Sequence, residues 1–197
     1  MMRKTFIITT LLCLSASWAK AEQVVIETRN VSLVLDVEKG AQPKYVYFGA
    51  RLNNTELAHL QAPVEGRMDV YPAYGLNTPA EAALAMRHAD GNLSTALVVE
   101  GVQRSGGITT IQMRDPVYPI TVNLKYKAYQ EEDMIEAWTE IANGEKQTVT
   151  LTTFALGPWG RITSQGICGW PGQRLSANVS TPPVRVRWGP ISQARGS

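Results

Sequence analysis

An all-β fold, a sandwich of two packed and mostly antiparallel sheets, follows from three features of this 197-residue sequence. Short runs rich in Val, Ile, Thr and aromatic residues recur at a spacing typical of sandwiches, bounded by Gly, Pro, Asn or Asp. Several of these runs alternate apolar with polar residues, the period of a strand with one buried face. Helical patterning is confined to short stretches, and the 44% hydrophobic content is enough to fill a core.

Taken in order, Val24–Thr28 and Val31–Val37 are β-branched strands separated by Arg29-Asn30, and Gly40 ends the second. The run from Pro43 to Gly49 is an aromatic strand between breakers. The stretch from Thr55 to Gln61 allows one or two helical turns with Leu57 and Leu60 on one side. Gly66–Gly75, which holds Tyr71, Pro72 and Tyr74, reads as an irregular loop. Thr78-Pro79-Ala80-Glu81 fits a capping box with Pro at the first helical position, so the following AALAMRH suits helix and strand equally. Asp90-Gly91-Asn92 is a turn, and Ser94–Glu100 and Ile108–Arg114 are further strands.

Val117–Ala155 reads as three consecutive antiparallel strands. In the first, Val122, Leu124, Tyr126 and Ala128 alternate with polar neighbours, and Glu131-Glu132-Asp133 makes a polar turn. In the second, Ile135, Ala137, Thr139 and Ile141 alternate with Glu136, Trp138 and Glu140. Asn143-Gly144 is a hairpin signal, because both residues tolerate positive φ, and Val149–Phe154 is the third strand. Together with Ile108–Arg114 these runs predict a meander.

The formal charge of +2 sums three unlike segments. Met1–Ala21 carries +3 with no acid, residues 22–155 hold all 17 acids against 11 bases, and residues 156–197 hold five arginines and no acid. The folded part is therefore mildly acidic and lacks the basic footprint of a nucleic-acid binder. Met1–Lys4, the apolar Phe6–Leu14 and Ala19-Lys20-Ala21 are the three parts of a secretory signal, cleaved after Ala21. That apolar run is shorter than the roughly 20 residues a membrane span needs. A periplasmic or secreted protein with no stable membrane span is expected. Cleavage removes Cys13 and leaves Cys168 alone, so no intramolecular disulfide is expected.

At Leu156 the character of the chain changes. From there on it has no Asp, Glu, Lys, His, Tyr, Phe or Met, and its apolar residues follow neither secondary-structure period. The stretch 156–197 reads either as a natural basic Gly/Pro/Trp-rich tail or, the reading we favour, as sequence translated out of frame. Both predict a disordered or irregular tail.

Chemistry-bearing residues are sparse. Histidine is limited to His59 and His88, neither beside a nucleophile motif, and both read as surface or core residues. One mature cysteine and two distant histidines make no metal site, and no cofactor motif appears. Glu131, Glu132 and Asp133 could pair as carboxylates but sit in a polar turn, where solvation is the ordinary role. Among Tyr45, Tyr47, Phe48, Tyr71, Tyr74 and Trp138, aromatics on strands are usually core. Tyr71 and Tyr74, flanking a loop proline, are the better exposed candidates for stacking on a sugar. Asn30, Asn53, Asn92 and Asn178 each open an Asn-x-Ser/Thr triplet.

Several segments, in colinear order over 25–155, resemble one family. They are Asn30–Leu35, the Gly40 turn with Tyr45–Leu52, Tyr71-Pro72-Ala73-Tyr74-Gly75, His88-Ala89-Asp90-Gly91-Asn92, Tyr118-Pro119, Glu136–Gly144 and Thr150–Ala155. Together they look like the opening of α-galactosidases of glycoside hydrolase family 36. The resemblance implies that residues 22–155 are the family's N-terminal β-supersandwich, which in complete enzymes precedes a (β/α)₈ barrel carrying both catalytic aspartates. It implies α-galactoside oligosaccharides as substrates of the whole enzyme, cleaved with retention by two close carboxylates. The family's nucleophile stands in a Lys-Trp-Asp strand end, and here no Trp is followed by Asp, so no catalytic residue carries over. Some members form homo-oligomers whose N-terminal domains lend a loop to a neighbouring active site, the role the resemblance offers Tyr71–Pro79. Leu76-Asn77-Thr78-Pro79 stands here where an acidic, Arg-containing stretch is common. The chain is expected to be inactive alone, or else a stand-alone carbohydrate-binding or assembly module.

Overall fold

A computed structural model describes residues 21–60, 69–76, 82–154, 177–179 and 184–187, with the backbone course alone at 154 and in the last two segments. Eleven described strands and one short helix follow the chain: β1 Glu22–Glu27, β2 Val31–Val37, β3 Lys44–Ala50, α1 Asn54–His59, β4 Leu84–Arg87, β5 Val98–Ser105, β6 Ile108–Arg114, β7 Ile120–Tyr129, β8 Met134–Asn143, β9 Val149–Phe154, β10 Ala177–Val179 and β11 Val184–Arg187. They form sheets ordered β1-β2-β3, β10-β9-β4 and β11-β8-β7-β6-β5, with every named pair antiparallel.

Each sheet buries one face, and the buried faces meet in a single core. Val24 and Ile26 of β1, Leu33 and Leu35 of β2, Leu84 and Met86 of β4, Ile111 and Met113 of β6, Val122 and Leu124 of β7 and Leu151 of β9 belong to it. The all-β sandwich expected from alternation is therefore the fold observed. The second face of β2 is buried too, at Ser32 and Val34. There the segment after β3 reaches back: the backbone N–H of Leu52 donates to Ser32 Oγ, and the Gln23 side chain donates to the carbonyl of Leu60. The helix between them is short but fully capped. Asn53 accepts from the Glu56 backbone N–H, and the Glu56 carboxylate accepts from that of Asn53.

One open reading is settled and two expectations are corrected. AALAMRH resolves to a strand, because Leu84 and Met86 fill the core and β9 supplies a ladder. Residues 94–97 are not strand. The backbone N–H groups of Ser94, Thr95 and Ala96 donate instead to Asn92 Oδ1, the Tyr74 carbonyl and Asp115 Oδ2. Asn143-Gly144 does not close a hairpin: β9 pairs with β4 and β10, so the chain changes sheet between β8 and β9. Gly144 donates to the Pro119 carbonyl, and Asn143 holds the loop through Glu145 N and the Gln147 carbonyl. The meander is thus β5 to β8.

The tail expectation is narrowed. Ala177–Val179 pairs with β9 and Val184–Arg187 with β8, so two pieces of it are strand. Val-Arg-Val-Arg does alternate with period two, and the outer edge of β8 offers it a ladder. The signal segment up to residue 20, the Thr78–Glu81 capping box, Cys168 and the remainder of the tail lie outside the described residues. Among the described residues no helix is long and apolar enough to cross a membrane.

Candidate functional site

Tyr71 and Tyr74 part company in the structure. Tyr71 is 0% exposed, a full member of the core, and burial pushes its phenol pKa up. Its hydroxyl has no hydrogen-bond partner among the described residues. Tyr74 is 52% exposed. The expectation that both face solvent is corrected by the local backbone. Tyr74 N–H and C=O bond to Leu84 and Thr95, fixing the segment beside β4, and Val70, Tyr71 and Ala73 turn into the core. Tyr45 and Trp138 are buried as well, while Phe48 on β3 is partly exposed. No continuous stacking platform forms from these aromatics.

The polar residues gather instead around His88, at the end of β4. His88 is 2% exposed, and both its ring nitrogens are occupied. Nδ1 lies 2.7 Å from Glu145 Oε1, and Nε2 lies 3.1 Å from Thr95 Oγ1. Tyr118 stacks on the imidazole with centroids 3.6 Å apart and planes 11° from parallel. The second Glu145 oxygen accepts from the Ala89 N–H at 3.1 Å. The β4–β5, β6–β7 and β8–β9 connections therefore converge on one histidine. Asp90, two residues on, accepts from the Tyr118 hydroxyl at 2.8 Å and from the Asn92 N–H at 2.9 Å. The Asn92 N–H first, and the Tyr118 hydroxyl next, hold its carboxyl below the usual range. Asn92 Nδ2 in turn donates to the Tyr118 hydroxyl. Asp115 anchors the β6–β7 connection through the N–H groups of Ala96, Val117 and Tyr118.

Thr–His–Glu in hydrogen-bond contact is the order of groups in a hydrolytic triad. Thr95 is nevertheless 0% exposed, so its hydroxyl meets no substrate in this structure. The arrangement locks loops together. What it presents outward is the Ala89–Gly91 turn, which borders two open hollows. One, of about 320 Å³, is lined by Arg87, His88, Asp90, Gly91, Thr148 and Thr150. The other, of about 390 Å³, is lined by Asp90, Glu145, Lys146 and Gln147 with Ala89.

Other candidates have structural partners. Asp133, at φ +53°, accepts from Thr28 Oγ1, the Asn30 N–H and the Asn30 side chain, clamping the β7–β8 turn to the β1–β2 turn. Glu131 and Glu132 are exposed beside it. Asn30, Asn53 and Asn92 all use their side chains in such contacts, while Asn178 stands in β10. His59 is exposed at the end of α1. Among the described residues no three metal-ligating side chains come together.

The structure is thus an all-β sandwich whose loops are tied around a buried histidine. Residues 41–159 match the model of the glycosyl hydrolase family 36 N-terminal domain, and the chain belongs to that family. Among solved structures, the chain is similar to a variant of the family 36 α-galactosidase AgaA from Geobacillus stearothermophilus in complex with stachyose, at 18% identity and TM-score 0.57, covering 68% of this chain and 24% of that one. It is similar to the α-galactosidase from Lactobacillus brevis at 14% identity and TM-score 0.55, covering 67% and 23%. The galactosidase domain of the α-galactosidase–sucrose kinase AgaSK matches at 16% identity and TM-score 0.56, covering 68% and 24%. At these identities the likeness is one of fold. The chain spans about a quarter of the length of these structures. Comparison with curated proteins gave no match.

Proposed function

We propose that this chain is the N-terminal accessory domain of an exported α-galactosidase-type glycoside hydrolase, with the catalytic carboxylates elsewhere in the complete enzyme. The family match over residues 41–159 carries the reading. The solved relatives support it through their bound ligands, stachyose and raffinose, each held by an AgaA variant. By this reading α-galactoside oligosaccharides are the substrates of the whole protein, and the domain's part is to fold, dock and present its loops. Export is supported by the signal-like segment and by β1 starting at Glu22, directly after the expected cleavage point. Residues 156–197 are proposed to be read out of frame, and the family match ending at 159 favours this. Reading the gene from codon 150 in the other two frames tests the proposal. It expects one frame to restore a Ser-containing strand and then a Lys-Trp-Asp motif; neither frame doing so would count against it.

A second reading, a stand-alone carbohydrate-binding or assembly module, is favoured by the exposed Tyr74 ring and the open hollows beside Asp90. Heat on calorimetric titration with raffinose at millimolar concentration would support it.

A further inference from the structure

Asn143-Gly144 is the one Asn-Gly pair in the sequence, and its asparagine is the last residue of β8. Asparagine is among the chemically labile residues, and a following glycine leaves the next backbone nitrogen unshielded because it carries no side chain. In such a pair the Gly144 nitrogen would bond to Asn143 Cγ and the Cγ–Nδ2 bond would break. Ammonia would leave, carrying the proton that the Gly144 nitrogen gives up, and a five-membered succinimide would remain. Water opens that ring at either carbonyl, giving aspartate or isoaspartate. One water is consumed and one ammonia released.

Attack needs a Gly144 N–H that can lose its proton and an Asn143 side chain free to turn its carbon onto that nitrogen. The folded connection between β8 and β9 denies both. The Gly144 N–H donates to the Pro119 carbonyl at 2.7 Å. Asn143 Nδ2 donates to the Gln147 carbonyl at 3.2 Å, and its Oδ1 accepts from the Glu145 N–H at 2.8 Å, so the amide is held at both ends. Asn143 is 5% exposed and stands opposite Ile120 in the β7–β8 ladder. These holds belong to the connection that His88 secures. The same Glu145 that gives its N–H to Asn143 sets one carboxylate oxygen against His88 Nδ1 and accepts the Ala89 N–H with the other.

We propose that Asn143 is a latent deamidation site, shut by the folded β8–β9 connection and opened when the tie between His88 and Glu145 is lost. Conversion is one-way. Aspartate places a carboxylate at a buried position and removes the donor to the Gln147 carbonyl. Isoaspartate adds a backbone carbon at the end of β8. Either product takes away part of what holds the connection, so a connection opened long enough to react does not close again as it was.

Peptide mapping by mass spectrometry in mildly alkaline buffer follows the amide-to-acid change at Asn143, with isoaspartyl methyltransferase labelling the isoaspartate product. The full chain, a His88→Phe variant and a free synthetic peptide of residues 140–148 are compared. The parent should convert at least about a hundredfold more slowly than the peptide, because local opening must precede reaction. His88→Phe lies far from Asn143 in sequence and leaves the intrinsic chemistry of the pair untouched. It should convert about tenfold faster than the parent while the amides of β6 stay protected from exchange. A parent as fast as the peptide, or a folded variant no faster than the parent, would overturn the proposal. If His88→Phe also exposes β6, the parent's rate in low urea decides instead. Opening of the connection alone exposes little surface and predicts a rate nearly independent of urea, whereas a rate rising steeply in parallel with global unfolding would overturn it.

Discussion

His88 shows how far one residue reaches in this domain. It sits in the short motif His88–Asn92, which was legible as a strand end followed by a turn, but its partners were not. Glu145 lies 57 residues away and Tyr118 stacks from a third loop, and no local pattern announces either. Replacing His88 with Phe keeps a ring against Tyr118 but leaves the Glu145 carboxylate and the Thr95 hydroxyl without their shared partner. Leaving those buried polar groups without that partner costs about 2 kcal/mol, to be read as a lower urea midpoint. Thr95→Val, which removes one neutral hydrogen bond, should cost only about 1 kcal/mol. Asp133 gives a pH-dependent counterpart. The Thr28 hydroxyl first, then the Asn30 N–H, hold its folded carboxyl pKa below the unfolded value of about 3.9. Its contribution is therefore present above that pH and is lost as pH falls through the lower folded value. Asp133→Asn, which tolerates the positive φ, should flatten the loss of stability below about pH 4. An unchanged acid slope in urea titrations would contradict that assignment.

At the scale of elements, alternation and β-branched runs located the strands from β1 to β3 and from β5 to β9, because each needs an apolar face and that need is written locally. β4 was left open, and β10 and β11 fell in a stretch read as irregular. Membership of sheets was a different matter. The Asn143-Gly144 pair has the composition of a tight turn, yet the loop it begins carries the chain from one sheet to another. The reason for glycine is contact. A Cβ on Gly144 would lie 2.8 Å from the Pro119 carbonyl oxygen, a backbone atom that cannot swing aside. Gly144→Ala should cost about 1–3 kcal/mol. Gly101, at the β5 bulge, has open space around its missing Cβ, so Gly101→Ala should leave the melting temperature nearly unchanged. Similar losses in the two variants would mean the crossing is not constrained as described. Trp138 marks the limit of alternation from the other side. Its position faces outward, and its burial could not be read from period two.

For the whole molecule, the all-β sandwich and the family were both legible, the first from hydrophobic period and the second from an ordered set of short segments. The pairing of β4 with β9 was not, since nothing local in either strand specifies a partner so distant along the chain. Nor was the sorting of Tyr71 into the core and Tyr74 to the surface, which depends on the bonds from Leu84 and Thr95. As proposed above, the chain is an accessory domain of a glycosidase whose catalytic carboxylates lie elsewhere in the complete enzyme. Incubating the purified full chain with p-nitrophenyl α-galactoside tests it most directly. The account predicts no release of p-nitrophenol above a blank without protein. Release that copurifies with the chain and disappears on its immunodepletion would contradict it.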